Sequence, residues 1–400
     1  MPGIGGKIKI VPEDFVVEEI TPDGKLLKVG KVFKRRSGAG DFTHFVLQKK
    51  CWNTVQALHE IGKKLGCTQK RFGYAGLKDR RALTVQLCSV WGATPEQLNA
   101  LRLRDIQING AWRSNHGIQL GDLAGNAFII TVRGIQPRSS QCVKKILSEL
   151  NGQFPNYFGE QRFGTTRFNT HTIGKLLLKG DIKGAVNNYL CFTQGEENQS
   201  AREARERLAE ENDYLSALDY FPRHLKYERI MLRHLAEFKN DYAGALRALP
   251  RGVLLMFVHA YQAFLFNELL SLRIQKNAVG VDVGDYICPA NKFGFPDVEK
   301  ARKAKRRGER GFLCLPIIGY ETEDLCREAE ILLENEGLTT QDFRIKQFPE
   351  LSSKGSLRPA FVPLKGFKFV QKGNAGVFSF TLPPGSYATS ALREFLDENK

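Results

Sequence analysis

Between Thr54 and Leu65, apolar residues fall at 55, 58, 61 and 65, the spacing of one helical face. Asn53 and Gly66 flank the stretch, and these residue types cap helices at the N- and C-terminal ends. Runs rich in β-branched and aromatic residues predict strands at Lys7–Ile10, Phe15–Ile20, Thr43–Gln48, Thr84–Trp91, Asp105–Asn109 and Ala127–Val132. Pro12-Glu13-Asp14 is the turn between the first two, and a second helix is predicted over Gln141–Leu150. From about residue 170 to 275 the pattern is largely helical. Its most apolar stretch, Val253–Leu270, is interrupted by His259, Gln262, Asn267 and Glu268, and so reads as a buried core helix rather than a membrane span. Ser200–Ala217 mixes Arg and Glu densely, the mark of a solvated helix face. A strand at Val377–Leu382, a Pro-Pro-Gly turn and a helix near Ser386–Asp397 close the chain. Strands mixed irregularly with helices predict an α+β layered architecture. The strand–turn–helix after a helical middle predicts one domain interrupted by an insertion.

Composition agrees with a folded chain. Hydrophobic residues make up 42% of the 400 and charged residues 26%. Gly and Pro, 38 and 16 residues, lie well below the roughly 25–30% of low-complexity chains. The net charge of +16 points to a polyanionic partner, with nucleic acid ahead of an anionic membrane surface because no long cationic amphipathic helix stands out. The N-terminal MPGIGGKIKIVPEDF has no apolar core of a secretory signal, and the eight cysteines include no CxxC, so a cytoplasmic protein with reduced thiols is expected. No phosphate loop, HExxH or strand-borne GxGxxG is present, and the seven histidines show no ligand spacing. Nucleotide hydrolysis, zinc hydrolysis and dinucleotide chemistry therefore lack their signatures. Neither a metal nor another cofactor is expected.

Three segments carry candidate chemistry. In Arg71–Gln86, RFGYAGLKDRRALTVQ, a short strand runs into Gly76, and Asp79 follows on a loop beside Lys78, Arg80 and Arg81. This arrangement suits a turn carboxylate satisfied by arginine. It also suits a carboxylate kept ionised by positive neighbours and able to act as nucleophile or base. In NYFGEQRFG, Asn156, Tyr157, Phe158, Gln161, Arg162 and Phe163 form either a tight turn packed on the core or a surface that stacks and hydrogen-bonds unpaired bases. In LAGNAFII, Asn126 and Phe128 share one face of a predicted strand, where a lone Phe is ordinarily core. A basic run at Glu299–Arg310 holds Lys305, Arg306 and Arg307. It is either a solvated loop or, like Arg71, Arg80 and Arg81, a contact for RNA phosphates.

PEDFVVEE (12–19), FGYAGLKD (72–79), LAGNAFII (123–130), NYFGEQRFG (156–164) and LPPGSYATSALREF (382–395) resemble, in order and spacing, the TruD family of tRNA pseudouridine synthases across nearly the whole chain. The long middle and HAYQAFLFN (259–267) are more similar to the archaeal and eukaryotic branch than to the shorter bacterial one. The resemblance implies a pseudouridine synthase fold: a mixed, mostly antiparallel sheet with flanking helices, interrupted by a largely helical TRUD insertion domain. The expected boundaries are 1–155 for the first part of the catalytic domain, 156–355 for the insertion, and 356–400 for the C-terminal part of the catalytic domain.

It further implies that Asp79 is the catalytic aspartate, with Lys78, Lys9, Asn126, Phe128 and Phe15 supporting it. Phe128 is expected to hold the uracil, and Lys9 to pair with Asp79. The aromatic is Phe where other pseudouridine synthases carry Tyr, so a role for a tyrosyl hydroxyl does not carry over. The activity implied is isomerisation of a uridine in tRNA, with the D-arm position 13 as the family's target, by a monomer needing no protein partner. The rival reading is a catalytically inactive RNA-binding protein of the same fold.

Overall fold

The structure, a computed structural model, describes residues 3–36 and 38–396, and it divides into two compact units. The first comprises Met1–Asn156, Ala290–Pro296 and Phe361–Lys400, and the second Tyr157–Pro289 and Asp297–Ala360.

The first unit is built on an eight-stranded sheet. Its strands are β1 (Phe15–Ile20), β2 (Phe42–Lys50), β3 (Phe72–Tyr74), β4 (Leu83–Trp91), β5 (Ile106–Ser114), β6 (Gly125–Arg133), β13 (Lys365–Lys372) and β14 (Ala375–Leu382). Their order is β13-β14-β6-β1-β4-β2-β5, with β3 paired to β4. Only the β1–β4 pairing within this sheet is parallel. A separate pair joins β7 (Gln153–Pro155) to β12 (Phe361–Pro363). The helices are α1 (Thr54–Leu65), the short α2 (Pro95–Asn99), α3 (Ser139–Glu149) and α12 (Ala388–Arg393). The Asn53 side chain accepts from Gln56 N at the start of α1, and Gly66 closes it with φ +66°, the left-handed geometry that glycine adopts without strain. The helix expected near Ser386–Asp397 is thus shorter, and Asp397 lies outside the described residues.

Two apolar clusters form on one face of this sheet. Ala57, Leu58 and Ile61 of α1 pack on Phe45, Leu47, Cys88 and Val90. Residues of α3 and α12 pack with Phe128, Ile130, Phe378 and Phe380. On the same face, where directly paired residues project together, the positions between the clusters are polar. Lys49, Thr84, Gln86 and Glu19 are all buried there. Burying polar groups is costly unless they are partnered, so this stripe marks a candidate site.

The second unit holds α4 (Thr170–Leu178), α5 (Ile182–Cys191), α6 (Gln199–Glu211), α7 (Tyr214–Tyr220), α8 (Lys226–Glu237), α9 (Tyr242–Arg247), α10 (Arg251–Gln275) and α11 (Arg327–Glu336). Its four-stranded sheet has the order β11-β10-β8-β9, where β8 is Tyr286–Cys288, β9 Arg302–Lys303, β10 Phe312–Ile317 and β11 Ser356–Pro359. The apolar α10 is long enough to cross a membrane. It is instead the core of this unit, with Leu254, Phe257, Val258, Tyr261, Leu265, Phe266 and Leu269 buried.

Several sequence expectations change. Lys7–Ile10 is not a strand: Lys7 makes an isolated bridge to Arg133, and Lys9 has φ +56°, which turns the chain out of extended geometry. Ser200–Ala217 is two helices, because Asn212 ends α6 in a left-handed conformation and the Asp213 side chain caps α7. Nor is its charged face wholly solvated, for Arg205 is buried and pairs with Glu228 at 2.6 Å. Residues 356–359, expected in the catalytic part, pair with β10 in the second unit, whereas Ala290–Pro296 lies in the first.

Candidate active site

β3 pairs with β4, so residues 75–82 form the loop that joins them, and this loop carries Lys78 and Asp79. Its backbone is held at several points. Lys78 N donates to Thr54 Oγ1 at 3.0 Å, and that hydroxyl donates to Gln86 Oε1 at 2.9 Å. Gln86 Nε2 donates to the Gly76 carbonyl at 3.0 Å. The Lys49 ammonium, from β2, donates to the carbonyls of Asp79 at 2.9 Å and Trp52 at 2.6 Å, with Lys78 O at 3.4 Å. Burial lowers the Lys49 pKa from 10.5 to about 8.

The Lys78 side chain turns inward. Its ammonium meets Glu19 Oε2 at 2.6 Å, and the two side chains are only 5% and 0% exposed. The other Glu19 oxygen accepts from Leu87 N at 2.9 Å, just beyond the last residue of β4 paired to β1. A buried carboxylate thus neutralises a buried cation and also satisfies a strand N–H.

With its backbone fixed, Asp79 projects outward. Its side chain is 32% exposed and accepts from Lys9 Nζ at 2.9 Å. The Lys9 ammonium also stands 4.2 Å from the centroid of the Phe15 ring. Lys9 and Phe15 flank a 3₁₀ turn, Pro12–Asp14, whose buried Asp14 is gripped by Arg133 through Nε and Nη2. The Arg133 guanidinium holds the Asp14 carboxyl below the usual carboxylate range.

From Phe15 an aromatic series continues. Phe15 meets Phe128 edge-on at 6.2 Å, and Phe128 meets Phe380 at 5.7 Å. Phe128 pairs across the sheet with Val17, and Asn126 with Glu19, so both lie on the face that carries Glu19. The structure thereby brings together Asp79, Lys78, Lys9 and Phe15, with Phe128 one ring beyond. Phe128 is only 7% exposed and belongs to the core cluster, so the core role weighed from sequence is real. Asn126 Oδ1 is shut from solvent and has no hydrogen-bond donor.

The expected RNA-contact residues divide. Arg80 and Arg81 are exposed beside Asp79, and Arg71, also exposed, lies over the Trp91 ring at 5.1 Å. Asn156 is 1% exposed and Phe163 is buried against Phe168 and His171, so packing removes both from the surface. Tyr157 and Phe158 are half-buried. Tyr157 Oη lies 3.0 Å from Ser271 Oγ, and the Asn267 side chain bonds both the N–H and the carbonyl of Phe158. Gln161 is exposed and Arg162 half-buried. In the basic run, Lys300, Arg302 and Lys303 pair with Asp297, Glu309 and Asp324, which leaves the Lys305, Arg306 and Arg307 side chains exposed.

Sequence reading missed Lys49, Glu19, Thr54 and Gln86. Each looks like an ordinary strand or helix-start residue, and their common target, the 75–82 loop, exists only in the fold. Among the described residues, no group of three or more His, Cys, Asp or Glu could hold a metal ion.

The sequence model of the tRNA pseudouridine synthase D (TruD) family matches residues 1–395. A Methanococcoides burtonii protein is 35% identical over 99% of this chain and 94% of its own length. One from Archaeoglobus fulgidus is 38% identical over 99% and 95%. Both carry the name "Probable tRNA pseudouridine synthase D". A crystal structure of a Methanosarcina mazei protein assigned to TruD superposes with a TM-score of 0.79 at 32% identity, over 99% of this chain and 94% of that one.

Proposed function

The chain belongs to the tRNA pseudouridine synthase D family and has its fold, and from that premise we propose that it converts a uridine of tRNA, position 13 in the D-arm, to pseudouridine with Asp79 as the catalytic carboxylate. The observation that carries this reading is the placement of Asp79. Its backbone is clamped by Lys49 and its neighbours while its carboxylate reaches outward to Lys9. A fixed backbone with a solvent-facing carboxylate is what positioned acid–base or nucleophilic work requires.

The reaction breaks the C1′–N1 bond, turns the uracil and joins C1′ to C5. The proton lost from C5 is balanced by one gained at N1, so no redox partner, metal or nucleotide is consumed. An ionised Asp79 serves both chemical routes, as nucleophile at C1′ or as base toward the sugar. Lys9 holds the carboxylate in place until substrate arrives. Phe128 is the ring that holds the loosened uracil, with the buried Phe15 packed edge-on against it, and Asn126, whose Oδ1 lacks a donor, lies on the same face of the strand. The target base must leave its stack, at a cost of a few kcal/mol, which contacts to the RNA backbone offset. The net charge of +16 and the exposed Arg80 and Arg81 fit that need. The chain acts in the cytoplasm as a monomer.

The test is pseudouridine mapping on a transcribed tRNA incubated with the protein in the presence of EDTA. The reading requires conversion at position 13. Binding without conversion at any uridine would make the chain an RNA-binding protein only.

A further inference from the structure

A second basic feature lies wholly within the second unit. It is a cavity of about 290 Å³ lined by Phe158, Arg162, His259 and Arg358, and by a polar patch around Gln262 and Ser353. We propose that this pocket binds a phosphodiester group of the RNA chain, with Arg162 and Arg358 as the phosphate-holding pair. The proposal rests on the reading of the chain as a tRNA-acting enzyme.

Charge comes first. The residues around the cavity include two guanidiniums and an imidazole, and no carboxylate. Both guanidiniums lie against one aromatic ring, with Arg358 at 4.0 Å and Arg162 at 6.0 Å from the Phe158 centroid, so they are at most about 10 Å apart. Two guanidiniums brought to one ring at the same cavity suit an anionic ligand. The ring is itself fixed: the Asn267 side chain bonds Phe158 through both its N–H and its carbonyl, and Phe266 meets it edge-on at 5.5 Å.

Gln262 and Ser353 satisfy each other, and Gln262 also donates to the Ile318 carbonyl, so that patch is closed. Arg162 Nε, in contrast, is cut off from solvent and has no acceptor. A phosphate oxygen is the acceptor that a planar guanidinium fits best. His259 also lines the cavity, with its pKa lowered by burial and by Arg162, so near neutral pH it offers the anion a neutral imidazole N–H. Phe158 and Arg162 belong to NYFGEQRFG, the segment whose residue types suit RNA. Arg358 and His259 come from β11 and α10, and only the fold adds them.

The test uses the full chain carrying Asp79→Asn, so that binding is measured without turnover. Filter binding of a tRNA transcript across a salt series gives the slope of log K against log salt. Arg162→Gln should reduce the steepness of that slope by about 0.7–0.9, the share of one phosphate, and weaken binding several-fold. Arg162→Lys should keep the slope. His259→Glu, which sets a carboxylate in the lining of the cavity, should weaken binding at least as much as Arg162→Gln. A folded Arg162→Gln or His259→Glu variant with unchanged slope and affinity overturns the proposal. So does a thermal shift produced by inorganic phosphate that Arg162→Gln abolishes while the tRNA slope stays intact, since the pocket would then serve a free anion. Failure of the catalytic reading is seen separately, as a wild-type chain that binds tRNA with this slope but forms no pseudouridine.

Discussion

Lys49→Met should fold with at most a modest loss of stability and lose most of the activity. Lys49 is fully buried, and its lowering from 10.5 to about 8 corresponds to about 3 kcal/mol against the charged form in the fold. Methionine of similar length removes that penalty. It also removes two short charged hydrogen bonds, to Trp52 O and Asp79 O, worth roughly 1.5–3 kcal/mol each. The two bonds together outweigh the relieved penalty by no more than about 3 kcal/mol, so the urea midpoint should fall modestly and the variant should still fold. The Asp79 carbonyl, however, loses its anchor. A displacement of about 1 Å at a reacting carboxylate costs on the order of 100-fold, and kcat should fall by that much with tRNA affinity retained. Between about pH 8 and 10.5 the unfolded chain binds the Lys49 proton and the folded chain does not, so the wild type should gain stability with rising pH across that window, and Lys49→Met should lose that gain. A Lys49→Met protein with wild-type kcat, or one that fails to fold, would refute the reasoning.

Glu19→Ala leaves the Lys78 ammonium buried without a counter-charge and should cost about 3–5 kcal/mol in urea unfolding; a loss below about 1 kcal/mol would mean that the pair is not buried in solution. Phe128→Leu keeps most of the packing volume but removes the ring, and should lower turnover at least tenfold, given stacking worth about 1–3 kcal/mol per base, with a near-native melting temperature; full turnover would restrict Phe128 to the core. Replacing Lys305, Arg306 and Arg307 by Ala should flatten the salt dependence of tRNA binding by about 0.7–0.9 for each phosphate these side chains neutralise. An unchanged slope would make that run a solvated loop.

The extent to which this site is legible in the sequence follows from how local each signal is. Helix α1 is readable because its apolar face, Asn53 cap and Gly66 stop all lie within fourteen residues. Asp79 stands out because three cations surround it in sequence. Lys9 and Phe15 come from the resemblance alone: the alternation at Lys7–Ile10 mimics a strand, and only the φ of +56° at Lys9 shows that the chain turns there. Glu19 looks like a solvent-facing strand residue until Lys78, 59 positions later, is seen to pair with it. Arg205 escapes sequence reading for the same reason, since its partner Glu228 lies 23 residues away on another helix. In NYFGEQRFG the residue types suggest a base-reading surface, but Asn156 and Phe163 face the interior, and composition cannot tell an inward aromatic from an outward one.

The central claim is that the Asp79 carboxylate carries the reaction, and Asp79→Asn tests it most directly. The substitution keeps size and hydrogen-bonding capacity and removes the negative charge, while the Lys49, Thr54 and Gln86 contacts to the loop backbone stay intact. Filter binding and carbodiimide-stop mapping on one preparation give affinity and product together. The account predicts a folded protein that binds tRNA at least as tightly as wild type and forms no detectable pseudouridine. Wild-type turnover in that variant would place the chemistry on another residue and contradict the account.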